Sequence, residues 1–452
     1  MRHRSPQLPL TAPWIHHAHA TELAAMSAVL DEQLALAALI QQDLEAACPK
    51  NPHTGRPGLT GEQALRILLL RQLTGWTYAE LAFHLADSMT YRTFCRLSAL
   101  TPPPSKSALA ATLDRVRPAT LATMNDQLVT SAPARAVEPA RTVRMDSTVV
   151  LAAIHHPTDS NLLFDAARVL VRLLMRLEAV AGFTAYHCHL KRVKRRAIEI
   201  AHLAPQATRR RRACYRELLD LTQATVSYAS CGLAHLDCLE PASLTGAQRG
   251  VRDELTAFLP LVAQVTEQTE RRVFQGETVP ADEKLVSLFE THVDVIVKDR
   301  RDTYYGHKMF LTTGKSGLIL DCAIPKGNPA DSTWTVPLLR RQAALFGRPP
   351  RQASFDGAFA STENLADAKA LGVEDVCFAK KRGLAVLDMV RSEWVYDKLR
   401  RFRAGIEAGI SLLKRVFGLA RCVWKGATGF HAYVRTAVLA ANLLLLARHR
   451  LT

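Results

Sequence analysis

The chain has no Cys-x-x-Cys pair, no apolar run long enough to span a bilayer, and too few acids to balance its bases. Each shortage excludes something. The nine cysteines (Cys48, Cys95, Cys188, Cys214, Cys231, Cys238, Cys322, Cys377 and Cys422) are scattered and odd in number. That spacing argues against a disulfide framework and for free thiols in a reducing cytosol. His187-Cys188-His189 has no second Cys/His pair at finger spacing, which argues against zinc there. Met1-Arg2-His3-Arg4 runs into prolines rather than an apolar segment, against a signal peptide. The most apolar stretch, 436–447, falls short of the roughly 20 residues a membrane span needs. It reads as a buried terminal helix of a soluble protein. No internal repeat or low-complexity tract is evident.

Lys and Arg number 58 against 42 Asp and Glu, a formal net charge of +16. Such a balance favours a polyanionic partner, most often nucleic acid, although a basic housekeeping protein has it too. At 452 residues and 48% hydrophobic, the chain has length for about three domains and can bury sizeable cores.

Three regions emerge. Residues 1–140 read as all-helical. Thr60-Gly61-Glu62-Gln63 and Thr77-Tyr78-Ala79-Glu80 have the form of capping boxes, and Gly75 separates them. A third short helix starts at Thr90, and Ser105 or Ser107 caps another after Pro102-Pro103-Pro104. Short helices on tight turns suit a DNA-reading helix-turn-helix; they suit any small bundle as well. Residues 141–165 and 287–452 read as a mixed α/β sheet domain. Strand signals lie at 142–150, 293–297, 308–312, 318–324, 353–355 and 376–379, with helices after Ser332 and Thr362. Gly314-Lys315-Ser316-Gly317 predicts a hairpin turn. Residues 166–286 interrupt the sheet with a helical, basic segment. It carries Lys191, Arg192, Lys194, Arg195 and Arg196, then Arg209, Arg210, Arg211 and Arg212. Between 166 and 216 there are thirteen Lys/Arg and two Glu. Two dense clusters favour phosphate-backbone contact over a merely solvated face.

Three acids stand out. Asp146 lies in the first strand, Asp356 follows a short apolar strand and precedes Gly357, and Glu407 sits in a strongly patterned helix. Strand ends can converge carboxylates on a metal, and Mg²⁺ takes a few such hard oxygens while keeping sites for water and phosphate. With Glu407 at zero and about 100° per residue, Arg400 falls at about +20°, Arg403 at about −40° and Lys414 at about −20°. Ile406, Ile410, Leu413 and Phe417 fall between about −60° and −120°, so the charged stripe borders the buried one. An ordinary amphipathic helix with an Arg403–Glu407 pair explains the helix equally well.

Arg400-x2-Arg403-x3-Glu407-x6-Lys414 resembles the Tyr-x2-Arg-x3-Glu-x6-Lys signature of insertion-sequence DDE transposases, with Arg400 in the tyrosine's place. "RMDSTVV", "DRRDTYYGHKMFLTTG", "LILDCAIPKGNPADS", "FDGAFAS" and "KLRRFRAGIEAGISLLKRVFGLARCVWKG" resemble, in order, the catalytic blocks of such a transposase of the ISNCY-like kind. The resemblance implies a ribonuclease H-like catalytic fold in which Asp146, Asp356 and Glu407 bind one or two Mg²⁺ or Mn²⁺ ions. It implies cleavage at the element's terminal inverted repeats and joining of the freed 3′-OH to target DNA. Arg400, Arg403 and Lys414 would then contact DNA beside the metals, and pairing two ends calls for a homodimer or higher assembly. Such an enzyme works in the bacterial cytoplasm on nucleoid DNA, without a membrane. A nuclease that only cuts, or a non-catalytic DNA-binding regulator, shares the same residues.

His307 and Lys308 on the same sheet either approach DNA or cap the sheet edge, and His156 and Asp159 carry the same ambiguity. Asp321, in an apolar strand, is the best rival acid. Trp424 could stack on an unpaired base, but an aromatic there is more often core.

Overall fold

The computed structural model describes residues 17–47, 58–204, 206–298 and 302–452. Helices α1 (Ala18–Glu32), α2 (Leu34–Ala46) and α3 (Gly61–Thr74) come first. Thr60 accepts from the Gln63 N–H while the Gln63 side chain accepts from Thr60 N, the reciprocal cap its sequence predicts. Gly75 closes α3 at φ 71°. The same box at Thr77 and Glu80 starts α4 (Tyr78–Asp87). Next come α5 (Met89–Phe94), α6 (Lys106–Leu113, capped by Ser105), α7 (Pro118–Thr130) and α8 (Ala132–Val137). Helix α3 is buried on nearly every side, including Arg66, which bonds to Asp31, Ser27 and the Phe94 carbonyl.

Strand β1 (Thr142–Leu151) follows. Then come α9 (Asp159–Ala181), α10 (Leu190–His202), α11 (Thr208–Asp237) and α12 (Gly246–Glu270), the last ending in a π turn, Arg271–Gln275. The chain continues through β2 (Asp294–Lys298), β3 (Asp302–Thr313), β4 (Ile319–Ala323), α13 (Thr335–Phe346), β5 (Gln352–Phe355), α14 (Thr362–Ala370) and β6 (Asp375–Phe378). It ends with α15 (Val386–Met389), α16 (Glu393–Arg415) and α17 (Gly426–Leu451). All six strand signals of the sequence are present.

The backbone divides into two units, Met1–Ala153 with Gly306–Thr452, and Ile154–Tyr305. In the first, the sheet order is β4-β3-β1-β5-β6. Strands β5 and β6 run parallel to β1, while β3 runs against both β1 and β4. Helix α17 is the expected terminal helix, long and apolar but buried within this unit, against α1, α3, α7 and β4. Because it packs on both the N-terminal helices and the sheet, these share one core. The sequence boundary near 140 therefore does not separate two cores. Asn442, fully buried in α17, accepts from Ile319 N and donates to Ile319 O and Asn125 Oδ1, each at 2.8 Å.

The second unit packs α9 against α10, α11 and α12 around its own apolar cluster, with Leu163, Leu170, Leu173, Leu177, Leu218 and Leu255 inside. Its edges differ from the composition boundaries at 166 and 286. Helix α9 runs unbroken from its Thr158 cap, so the first basic residues mark its middle and not its start.

Replacing Asn442 by Leu strands the Ile319 N–H and C=O in the core at roughly 1–3 kcal/mol each. Urea unfolding of Asn442→Leu is expected to show a lower midpoint; an unchanged midpoint would mean that the tie between α17 and β4 adds nothing.

Candidate active site

Strands β1 and β5 pair in parallel with Met145 opposite Phe355. One residue further along each strand stand Asp146 and Asp356, side by side although distant in sequence. Carboxyl ends of parallel strands are where open α/β sheets place their ligand sites. Asp356 leaves β5 and begins a short 3-10 turn, Gly357–Phe359. A Cβ on Gly357 would lie 2.5 Å from Lys380 Cβ, so glycine lets this turn approach the next strand's end.

Helix α16 starts at the Ser392 cap and lies on the same face, held by hydrogen bonds to each of three strands. Arg144 of β1 donates to the Phe402 carbonyl at 2.9 Å, Ser354 of β5 donates to the Leu399 carbonyl at 3.0 Å, and the Tyr396 hydroxyl donates to the Phe378 carbonyl of β6 at 3.1 Å. A Cβ on Gly405 would meet Arg144 Nη1 at 2.1 Å. Glycine inside a helix costs about 0.5–1 kcal/mol relative to Ala, and here it lets α16 settle over the β1 arginine.

That docking delivers Arg403 to the acids. Its Nη2 lies 2.8 Å from Asp146 Oδ2 and 3.6 Å from Asp356 Oδ1, and its Nη1 lies 3.2 Å from Glu407 Oε1. All three predicted acids therefore meet at one guanidinium. Burial raises the Asp146 carboxyl above its ordinary range, opposed by Arg403 and the Ser147 N–H and assisted by Asp356. Burial works against the Arg403 charge, but Asp146, Asp356 and Glu407 together hold its pKa above the ordinary value. Glu407 is 67% exposed and forms the rim of the cluster, whereas Asp146 is 14% exposed.

The donor set is chemically suited to a hard divalent cation. Asp146 and Asp356 also fit by position, since one nitrogen of Arg403 already stands between them as a cation. Glu407 reaches the adjacent nitrogen. Among the described residues, no three His, Cys, Asp or Glu are gathered closely enough to hold a metal as they stand.

The remaining sequence candidates divide. Arg400 is exposed, 3.7 Å from Asp397, and Lys414 is half-buried two turns beyond Glu407. His307 is buried with its ring 4.5 Å from Phe430. Lys308 is buried too, bound to Asp331 at 2.6 Å and to the Pro329 carbonyl at 2.8 Å. The other Asp331 oxygen accepts from Ser147 Oγ at 3.3 Å, beside Asp146. Sequence reasoning missed Asp331; its only signal was a place in the "GNPADS" block. Asp321 is held by Arg341 through two 2.6 Å bonds and is no part of the acid cluster. Trp424 packs at the core's edge, with Arg71 4.6 Å over its ring and Tyr433 at 5.4 Å.

In the second unit, Asp159 pairs with Arg272 through two 2.9 Å contacts, and His156 meets the Tyr305 ring edge-on at 5.5 Å. The basic clusters are partly spent on internal partners. Arg192 and Arg196 bind Glu217, while Arg196 and Arg210 bind Glu199. Arg211 and Arg212 donate to backbone carbonyls. Lys191, Lys194, Arg195 and Arg209 remain exposed with no ion pair among the described residues.

Two family comparisons match the chain. Residues 15–115 match a Transposase domain (DUF772), and residues 278–443 match a Transposase DDE domain. Neither a curated protein nor a solved structure matches. Both matches are to transposase domains, the second of the DDE type.

Breaking a buried ion pair by removing one partner costs up to about 3–5 kcal/mol. Lys308→Met is therefore expected to lower the thermal midpoint clearly. A variant as stable as wild type but weaker in DNA binding would instead make Lys308 a DNA contact.

Proposed function

We propose that the chain cuts phosphodiesters at the ends of an insertion sequence and joins the freed 3′-OH to target DNA, with Asp146, Asp356 and Glu407 as its acidic centre. The observation that carries this reading is the meeting of three acids, from β1, the end of β5 and α16, at Arg403. The order of β4, β3, β1, β5 and β6, with β3 alone reversed among these five, supports a ribonuclease H-like catalytic fold.

Asp146 and Asp356 would hold one or two Mg²⁺ or Mn²⁺ ions, with Glu407 closing the set from the rim. Such ions, when bound, lower the pKa of water and stabilise the leaving oxygen of an in-line displacement. In the first step a water oxygen bonds to phosphorus at the element end, the P–O3′ bond breaks, and the O3′ leaves as a hydroxyl. In the second, that hydroxyl attacks a target phosphodiester and displaces a new 3′-oxygen, which takes up a proton. The carboxylates orient the attacking oxygen and accept charge from what they bind. Lys414 and Arg400 lie along the same helix and suit the flanking phosphates, where contacts give registration without base specificity.

The second unit supplies further backbone contact. Of its two basic clusters, Lys191, Lys194, Arg195 and Arg209 carry no ion pair among the described residues, fewer than the clusters' density suggests. Base reading falls to the N-terminal helices, among which α6 presents Lys106, Ser107 and Ala111 outward while α3 is buried. The assembly on DNA is a dimer or larger, working in the cytoplasm.

The test is strand cleavage and joining on labelled flanking-end DNA, with wild type beside Asp146→Asn, Asp356→Asn and Glu407→Gln. Both steps are expected from wild type and neither from any variant, with DNA binding retained; cutting without joining would leave only a nuclease. Neutralising Lys191, Lys194, Arg195 and Arg209 together should flatten the salt dependence of DNA binding, by about one unit of log–log slope for each phosphate no longer neutralised. An unchanged slope would remove these residues from the interface.

A further inference from the structure

Arg403 stands where a cation shared by the three acids would stand. One of its nitrogens touches Asp146 and approaches Asp356 at 3.6 Å, and the other touches Glu407. We infer that Arg403 is a resident placeholder, holding the three carboxylates together without DNA and giving up that position when a divalent cation and a DNA phosphate arrive. The inference rests on the proposed reaction for its setting.

Charge repulsion is the first reason. Asp146 and Asp356 are neighbours on paired strands and Asp146 is largely buried, so two negative charges face each other in a poorly screened site. A positive group between them offsets that repulsion. A guanidinium and a divalent cation cannot both stand at this point, because the metal bonds carboxylate oxygens at about 2.0–2.1 Å and Arg403 Nη2 already occupies the contact with Asp146 Oδ2 and faces Asp356 Oδ1. Occupancy is therefore exclusive.

The arginine is also incompletely satisfied where it sits. Its Nε is buried with no hydrogen-bond partner among the described residues. A buried unpaired donor weakens the resting position. The exit is short, since Glu407 on the rim is mostly exposed and lies one turn along the same helix. A planar fork suits a phosphate's two oxygens as well as a carboxylate's, so a DNA strand at the rim offers the displaced guanidinium an equivalent partner. Metal and DNA then assist each other: each binds more readily once the other has moved Arg403, and linkage makes the two effects equal.

A role as a mere scaffold predicts the reverse, because removing the arginine would let the acids separate and weaken metal binding. Mn²⁺ serves as the probe, with free Mn²⁺ followed by electron paramagnetic resonance in titrations of the full chain. Arg403→Gln is expected to bind Mn²⁺ at least tenfold more tightly than wild type, about 1.4 kcal/mol. Adding Asp146→Asn to it should abolish the gain. Equal or weaker binding by a folded Arg403→Gln protein overturns the inference.

Should that variant fail to fold, wild type carries the test. A short duplex is expected to raise its Mn²⁺ affinity severalfold over the same mixture made with Asp146→Asn; no rise overturns the inference. Failure of the reaction reading looks different. Wild type that neither cuts nor joins, with the Mn²⁺ order intact, removes the reaction and leaves the placeholder. Normal cutting and joining with the order reversed does the opposite.

Discussion

The parallel pairing of β1 with β5 is the contact on which the rest depends. It sets Asp146 beside Asp356, and so creates a concentration of negative charge that the fold must balance. Two like charges placed side by side repel, and burial of Asp146 limits the screening that would relieve them. Arg403 offsets that repulsion, and it can do so only because α16 is tied to β1, β5 and β6 by three hydrogen bonds and sits closely over Arg144 at Gly405. Helix docking and site assembly are thus one event.

Much of this was legible in the sequence because it is local. The capping boxes at Thr60 and Thr77 need only four residues each, and both are present. Apolar alternation placed every strand. The helical projection put Glu407 and Arg403 at the border of the buried stripe, and the structure places Glu407 at a rim and Arg403 just inside it. The nature of that border was not legible. An i,i+4 pair between Arg403 and Glu407 is visible from spacing, whereas the shorter contact from Arg403 to Asp146 spans 257 residues.

What failed was also non-local. Composition changes near residue 166, but α9 is continuous through that point. The density of the basic clusters gives no sign that Glu199 and Glu217 engage part of them, and Glu217 lies just beyond the Arg-rich stretch. Beyond its place in the "GNPADS" block Asp331 gave no local sign, because its partners, Lys308 and Ser147, come from two distant strands. The N-terminal helices looked separate until α17, at the far end of the chain, filled their core.

Acids from three distant segments are proposed to form one site for a divalent cation. Iron-directed cleavage of the protein's own backbone would reveal such a site. With Fe²⁺ in place of Mg²⁺ and peroxide added, hydroxyl radicals cut only the chain near the bound iron. Cuts are expected to cluster near residues 146, 356 and 407 and to be suppressed by excess Mg²⁺ and by Asp146→Asn. Cuts elsewhere, or cuts at only one of the three segments, would contradict the proposed site.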